Sequence, residues 1–414
     1  MTMIREAEWA ARLGEKSSMR RIFIVTTACM FVTAIAYANP DLTPDSNATV
    51  VFLRTDCNVN GNPMENCFES MAALSDPSTG WIWNTRNPTS SAPLLVVVGP
   101  GEFDQFVCPN GRGYVSLRGS GREQTIIAGS DTGMSIRNCE DLSFTDLGIR
   151  GGRIGVQWIG GGFSTWSDTD IVVSGETSAG TTGAWGDLVD ASQQPFVCGT
   201  HYFHGSRVRA TGGGSAEASA FYSQCGESWF FGGEILNEVS KSTRQANAVR
   251  ITSPFGDVRT FGTAIREVVT APVSIGDGEL VGVVVSGGHF HSHGSVINVD
   301  ARGVTNASAV GLSVISAGFA HTPEAAWVLT PDGSGTTTRV RTANGGVAQS
   351  PYVWQSGSAP PVVTSQHGSD LFVETDCNSS DCNGHSDPHL MIYSSNCTGS
   401  GGPWFDVVRQ SCRN

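Results

Sequence analysis

The feature that most limits what this chain can become is a series of short apolar segments, closed by glycine turns and recurring at near-constant spacing. Leu94-Leu95-Val96-Val97-Val98 ends at Gly99-Pro100-Gly101, Tyr114–Arg118 at Gly119-Ser120-Gly121, and Thr125–Ala128 at Gly129. Leu142–Phe144, Leu147–Ile149, Val156–Ile159 and Ile171–Val173 follow. Segments this short cannot bury a core alone and must stack on neighbours. In sequence number, Ile126, Ile149 and Ile171 step by 23 and 22, Ile136 to Trp158 is again a step of 22, and Val208, Phe231 and Ile251 step by 23 and 20. A spacing near 22 fits one coil of three short strands and three turns. The expected fold is all-β, a right-handed parallel β-helix over residues 92–345. Beyond Ile251 the register is lost, because Val283, Ile297 and Leu312 step by only 14 and 15. An antiparallel sandwich or propeller also uses short strands but gives no reason for the longer, repeated step. Glycine supplies 51 of 414 residues, above the usual share of about 7%, and charged residues only 15%, which favours strands and tight turns over helices.

One helix is expected before the coils. Asn62-Pro63-Met64-Glu65 offers an N-cap, a proline at the first helical position and a glutamate at N3. Met64, Cys67, Phe68, Met71 and Ala72 then share one helical face. Residues 63–74 are therefore expected to form a short capping helix within an N-terminal cap spanning 39–91. Residues 365–414 hold four cysteines among many Asn, Ser and Gly residues and read as a small disulfide-rich C-terminal module, with 346–364 as linker. Thr55-Asp56-Cys57-Asn58 is echoed by Thr375-Asp376-Cys377-Asn378, hinting at two similar capping turns.

Residues 1–38 read as a signal peptide: Met19-Arg20-Arg21 is basic, Ile22–Tyr37 is apolar, and Ala36-Tyr37-Ala38 gives the small-x-small cleavage pattern. The apolar run from 22 to 37 is short of the roughly 20 residues a spanning helix needs, so cleavage before Asn39 is favoured over an anchor. The charged residues 1–18 fit a signal poorly, which leaves Met19 as an alternative start. The expected location is secreted or periplasmic, with no membrane attachment after signal removal. Without Cys29, ten cysteines remain, an even number that favours disulfides in an exported chain. Cys198–Cys225, Cys377–Cys382 and Cys397–Cys412 fit as local pairs, but spacing alone does not fix connectivity. Signal removal takes five basic and three acidic residues, so the remainder is more acidic than the whole chain at −13, with Lys241 its single lysine. That balance argues against nucleic acid and anionic lipid as partners. A uronate polymer is not excluded, since local arginines or bridging Ca²⁺ could hold one.

Residues 63–74, then Val96-Val97-Val98-Gly99-Pro100-Gly101-Glu102-Phe103, Val115-Ser116-Leu117-Arg118-Gly119-Ser120-Gly121 and Thr125-Ile126-Ile127 resemble the opening of pectin-lyase-like β-helix proteins. Asp141-Leu142-Ser143-Phe144-Thr145-Asp146-Leu147-Gly148-Ile149 is similar to the rung that follows. The resemblance covers roughly residues 63–175 and implies the solenoid fold with a short helix capping its base. It transfers no activity, because lyases, hydrolases, esterases, epimerases and non-catalytic adhesins share that fold. The motifs of pectin methylesterases, polygalacturonases and pectate lyases are not found in the sequence.

Three groups of residues carry candidate chemistry. Asp168-Thr169-Asp170 precedes a strand. Extended geometry would set the two carboxylates on one side about 6.5–7 Å apart, a separation that suits an acid and a base flanking a water. The alternative is a solvated turn; Asp187 and Asp190 are weaker candidates of the same kind, or Ca²⁺ ligands. His201, His204, Arg207 and Arg209 lie close in sequence to Glu227 and Trp229. With Val208 inward, both guanidinium groups would point outward and could hold a uronate or sulfate, while a histidine or glutamate carried protons. An ordinary charged strand surface is the alternative. His289, His291 and His293 share one strand face, and an H-x-H pair can chelate Zn²⁺, whereas His289 and His293 are too far apart to join His291 around one tetrahedral ion. Asp277, Glu279 or Asp300 could complete the set from a neighbouring coil. His385 and His389 with Asp381 and Asp387 invite the same reading. Trp158, Trp166, Trp185 and Trp229 could offer ring faces to sugars or fill the interior.

The function expected from this reading is recognition of an extended polysaccharide outside the cytoplasm, on an outward strand face near residues 166–231. If the protein is an enzyme, it is a polysaccharide lyase or glycoside hydrolase. The alternatives are a non-catalytic surface adhesin or structural protein, and a secreted metalloenzyme built on the histidine strand.

Overall fold

The computed structural model describes residues 48–59, 62–174, 183–192, 197–212, 217–322 and 325–349, and the backbone of five short strands between 355 and 412. The expected signal peptide lies outside the described residues. From Thr49 to Gln349 the strands pair in parallel, apart from the Asn58–Val59/Asn62–Pro63 hairpin and one isolated bridge, and wind into a right-handed parallel β-helix with three strands per coil.

The three faces follow one another along the chain. Face 1 carries Thr49–Leu53, Leu94–Val98, Gly113–Arg118, then the second halves of long strands, Gly199–His204, His289–His293, Phe319–His321 and Val347–Gln349. Face 2 is a nine-stranded sheet running from Gly101–Phe103 to Ala326–Thr330. Face 3 carries Phe106–Cys108, the first halves of the long strands, Gly183–Leu188, Glu279–Val285, Ser308–Ile315 and Thr337–Ala343. Thr132–Thr145 and Ile154–Ser167 each turn the corner from face 3 to face 1 without a break, pairing on both sides of it. Asn138 and Asp141 make that corner at φ 46°, in the left-handed region that Asn and Asp tolerate better than other side chains.

Strand alternation sends every second side chain inward, and register stacks like on like. On face 2, Ile127, Ile149, Ile171, Val208, Ile235, Ile265 and Ile297 form one continuous buried column. On face 1, Phe144, Trp166, Phe203 and Phe230 do the same, with ring centroids 4.0 Å apart at the first step and 4.3 Å at the last. Each fully buried side chain of this size contributes about 1.5–3 kcal/mol.

The register corrects part of the spacing read from the sequence. Ile149 pairs with Ile171 and Ile136 with Trp158, whereas Ile126 pairs with Gly148 and it is Ile127 that meets Ile149. Val208, Phe231 and Ile251 lie in three different columns, because the coils have grown. Gly148 to Asp170 is a step of 22 in sequence number, but Asp170 to Arg207 is a step of 37 and Ala264 to Val296 a step of 32. The steps of 14 and 15 later on are half-coils: Val283 stacks on Leu312 on face 3, and Ile297 sits between them in sequence on face 2.

The expected helix over 63–74 does not form. Asn62–Pro63 instead pairs antiparallel with Asn58–Val59, Asn66 turns at φ 53°, and the Cys57–Cys67 disulfide closes the hairpin. The helix is a single turn, Met71–Ser75, whose N-cap Ser70 accepts from the Ala73 amide while the Asp104 carboxylate accepts from the amides of Met71 and Ala72. Met71 and Leu74 are fully buried, so this short turn does cover apolar surface. Cys108–Cys139 and Cys198–Cys225 both staple consecutive coils at the corner between faces 3 and 1. The second is one of the local pairs expected from the sequence. The side chains of Cys377, Cys382, Cys397 and Cys412 lie outside the described residues. In the C-terminal region Gln355–Gly357, Leu371–Glu374, His389–Tyr393, Trp404–Asp406 and Ser411–Cys412 form a separate five-stranded sheet, mostly antiparallel.

Candidate functional site

The residues singled out in the sequence are dispersed over three environments. Asp168 is an exposed turn residue at φ 51°, so the extended geometry expected to align it with Asp170 is not present. Asp170 is buried at the start of a face 2 strand, where Arg209 Nε donates at 2.9 Å, Arg209 Nη2 also donates, and Arg207 Nε lies 3.8 Å away. Val208 does point inward and both arginines outward, but they close on Asp170 rather than standing free as an anion fork. Burial opposes the Arg209 charge, but the Asp170 carboxylate outweighs it and raises the pKa.

His201 points into the solenoid and is fully buried. Its Nδ1 is 2.8 Å from Ser164 Oγ, which accepts from Trp166 Nε1 at 2.7 Å, and its Nε2 is 3.6 Å from Asp187 Oδ2. Asp187, buried on face 3, has no hydrogen-bond partner for either oxygen among the described residues, and burial pushes its pKa up to about 6. Trp158 and Trp185 pack edge-on against the imidazole at 4.5 and 5.1 Å between ring centroids. Trp158, Trp166 and Trp185 are thus interior residues, not sugar platforms. Asp190 is held by Arg137, Asn138 and Ser192, and its pKa falls well below the usual range, chiefly through the Arg137 bond.

The outward side of face 1 gathers chemistry that the sequence reading only partly found. Parallel register places Thr165, Tyr202, Trp229, Arg259, His291 and His321 in one column. Beside it run His204, Phe231, Phe261 and His293, with rings nearly parallel and centroids 5.1, 5.3 and 5.2 Å apart. On the other side run Phe163, Thr200, Glu227, Asp257, His289 and Phe319. The Arg259 guanidinium lies 4.3 Å over the Trp229 ring and bonds the Asp257 carboxylate at 2.6 Å, with Glu227 at 3.6 Å. Trp229 Nε1 donates to Glu227 at 3.2 Å. Phe163, 40% exposed, heads the row tilted against Tyr202 at 5.4 Å. Burial lowers the pKa of both His204 and His291, so their neutral forms are favoured.

Asp257, His289 and His291 each offer one ligand atom within 4.8 Å of the others. His293 faces the same way but stacks on Phe261 and is outside that group. None of the three carboxylates considered from sequence joins it. Asp277 accepts from Gln245, Glu279 is held by Arg341 on face 3, and Asp300 by Arg302 next to face 2. Asp257 precedes His289 by one long coil, and a search at the shorter period of the early coils passes over it. The side chains of Asp381, His385, Asp387 and His389 lie outside the described residues.

No family model and no curated protein matches the chain. A solved structure does. It is pectin methylesterase PemA from Erwinia chrysanthemi, with 8% sequence identity and a TM-score of 0.34 over 72% of this chain and 90% of that one.

Proposed function

We propose that the chain is an exported polysaccharide-binding protein whose outward face 1 is the binding surface. The observation that carries the reading is the three-column row of Phe163, Tyr202, Trp229, Phe231, Phe261 and Phe319 interleaved with Arg259, Glu227 and five histidines, held on consecutive coils of one face. Successive coils repeat at about 4.8 Å, so a linear polymer lying along the axis meets a new set of donors and rings at each coil. Rings stacked on one another turn their edges outward, and aromatic edges carry positive partial charge. With Arg259 and the histidines, these edges suit the hydroxyl and carboxylate oxygens of a uronate-type chain better than the ring-face stacking of a neutral one. The three disulfides among the described residues and the signal-like residues 1–38 support export into an oxidising compartment.

Cleavage is a second reading, favoured by the convergence of Glu227, Asp257, Arg259, His289, His291 and His321 on this face, and not by the Asp168/Asp170 pair. The test is incubation of oxidised protein from Asn39 onward with neutral and acidic polysaccharides, followed by affinity electrophoresis and mass spectrometry of soluble products. Retention of acidic polymers supports recognition, and new oligosaccharides establish cleavage. Migration unchanged by every polymer, with the protein folded, would falsify the proposal and leave the structural or adhesive alternative.

A further inference from the structure

We infer that Asp257, His289 and His291 form a binding site for a divalent first-row transition metal ion, a function that shares face 1 with the proposed polymer surface but is testable without any polymer. Neither histidine's neighbours on its own strand supply the third ligand. It comes from the preceding coil, where parallel register sets Asp257 directly beside His289, and the two-residue repeat of the strand brings His291 to the same outward side. The ligand atoms already fall within 4.8 Å of one another, near enough for one ion to reach all three through rotamer adjustment.

Asp257 supplies the second observation. It is 8% exposed, and Arg259 occupies its Oδ2 through both Nε and Nη2, while Oδ1 is buried without a hydrogen-bond partner among the described residues. An unpaired buried carboxylate oxygen is costly, and a cation bound there would remove that cost. The Arg259 bond fixes the carboxylate rotamer, the role a supporting residue commonly plays at metal sites. Two borderline imidazole nitrogens with one carboxylate oxygen suit Zn²⁺ or Fe²⁺, and the two nitrogens discriminate against Ca²⁺, which takes oxygen ligands. Three protein ligands leave coordination positions unfilled. His289 is exposed, so those positions open onto the same outward surface that carries Trp229 and Phe319. His321, in register with His291 at 6.1 Å between ring centroids, stands beside the site on the next coil.

The test uses untagged, disulfide-bonded protein, first stripped with chelator and dialysed against Zn²⁺, then measured for bound metal by elemental analysis and by calorimetric titration. Co²⁺ serves as a spectroscopic probe of the coordination set. The expected result is one equivalent of Zn²⁺ in the unmodified chain that is lost in His289→Ala and in His291→Ala, with competition by Ca²⁺ ineffective. His289 is exposed, so its removal leaves the fold intact and makes that variant decisive; Asp257→Asn, isosteric with the native residue, should weaken binding at least tenfold while keeping the circular dichroism spectrum. No stoichiometric Zn²⁺ in the unmodified protein, or an equivalent that survives both histidine substitutions, overturns the inference. Either result leaves polymer recognition standing or falling on its own assay.

Discussion

The coils between Thr132 and Val173 and those between Gly183 and Phe261 are built on the same three faces but differ in what they put inside. In the first set partners on successive coils are 22 apart in sequence number, 23 at Cys139 and Gly162, and the apolar interior columns are Ile, Leu, Val, Met, Phe and Trp, with Ser164 the polar exception on its inner face 1. In the second set the steps grow to between 27 and 37, and the columns that began as Ile136 and Trp158 or as Leu142 and Ser164 continue as Asp187 and Ser223 or as His201 and Ser228. The backbone ladder tolerates the change because its hydrogen bonds do not depend on the side chain. The interior tolerates it at a cost, since Asp187, Ser223 and Ser228 carry buried oxygens without partners among the described residues. Polar interior positions coincide with the coils that carry the aromatic and charged columns of outer face 1.

The widest break in the comparison comes from deleting a ring of the tight coils. Trp166→Ala should destabilise by about 3–5 kcal/mol, read as a fall in the denaturation midpoint, because Trp166 is fully buried between Phe144 and Phe203. A loss under about 1 kcal/mol would mean that the aromatic column is not a structural core.

The next effect is a pH dependence that Asp187 gives the wide coils. The folded-state pKa of Asp187 lies near 6, above its ordinary 3.8, so its stabilising protonated form is fully favoured below about pH 4 and that contribution is lost as pH rises through 6. Relative to the unmodified protein, Asp187→Asn should therefore gain about 2.5 kcal/mol between pH 4 and pH 8. Chemical denaturation at the two pH values checks it, and a flat difference would place the carboxylate in contact with a compensating charge. The smallest effect is Ser223→Ala, expected to be neutral or stabilising by up to about 1 kcal/mol, because it removes an unpaired buried hydroxyl. A clear loss would show that the hydroxyl has a partner after all.

The same contrast explains how much could be read from the sequence. The tight coils were legible because their length is constant, so Ile149 and Ile171, or Ile136 and Trp158, repeat at the period that the register uses. The wide coils hide their period in loops of unequal length, which is why Val208, Phe231 and Ile251 look periodic and are not stacked. His201 and His204 show the limit on sites. They lie three apart in one strand, and its alternation sends one into the core and the other to the surface, which composition alone cannot decide. The partnership of Asp257 with His289 depends on the length of the coil between them, and that length is set by the intervening turns. The capping helix failed for a local reason: a good helix-start pattern at Asn62-Pro63 lost to a disulfide-closed hairpin.

Face 1, and not the rest of the solenoid, is the proposed recognition surface. Affinity electrophoresis on an acidic polymer retained by the unmodified protein tests it directly, comparing Trp229→Ala and Arg259→Ala on face 1 with Arg266→Ala on face 2. The account predicts at least a tenfold loss of affinity, about 1.4 kcal/mol, for each face 1 variant and no change for the face 2 variant. Equal retention of all three, or a loss confined to Arg266→Ala, would contradict it.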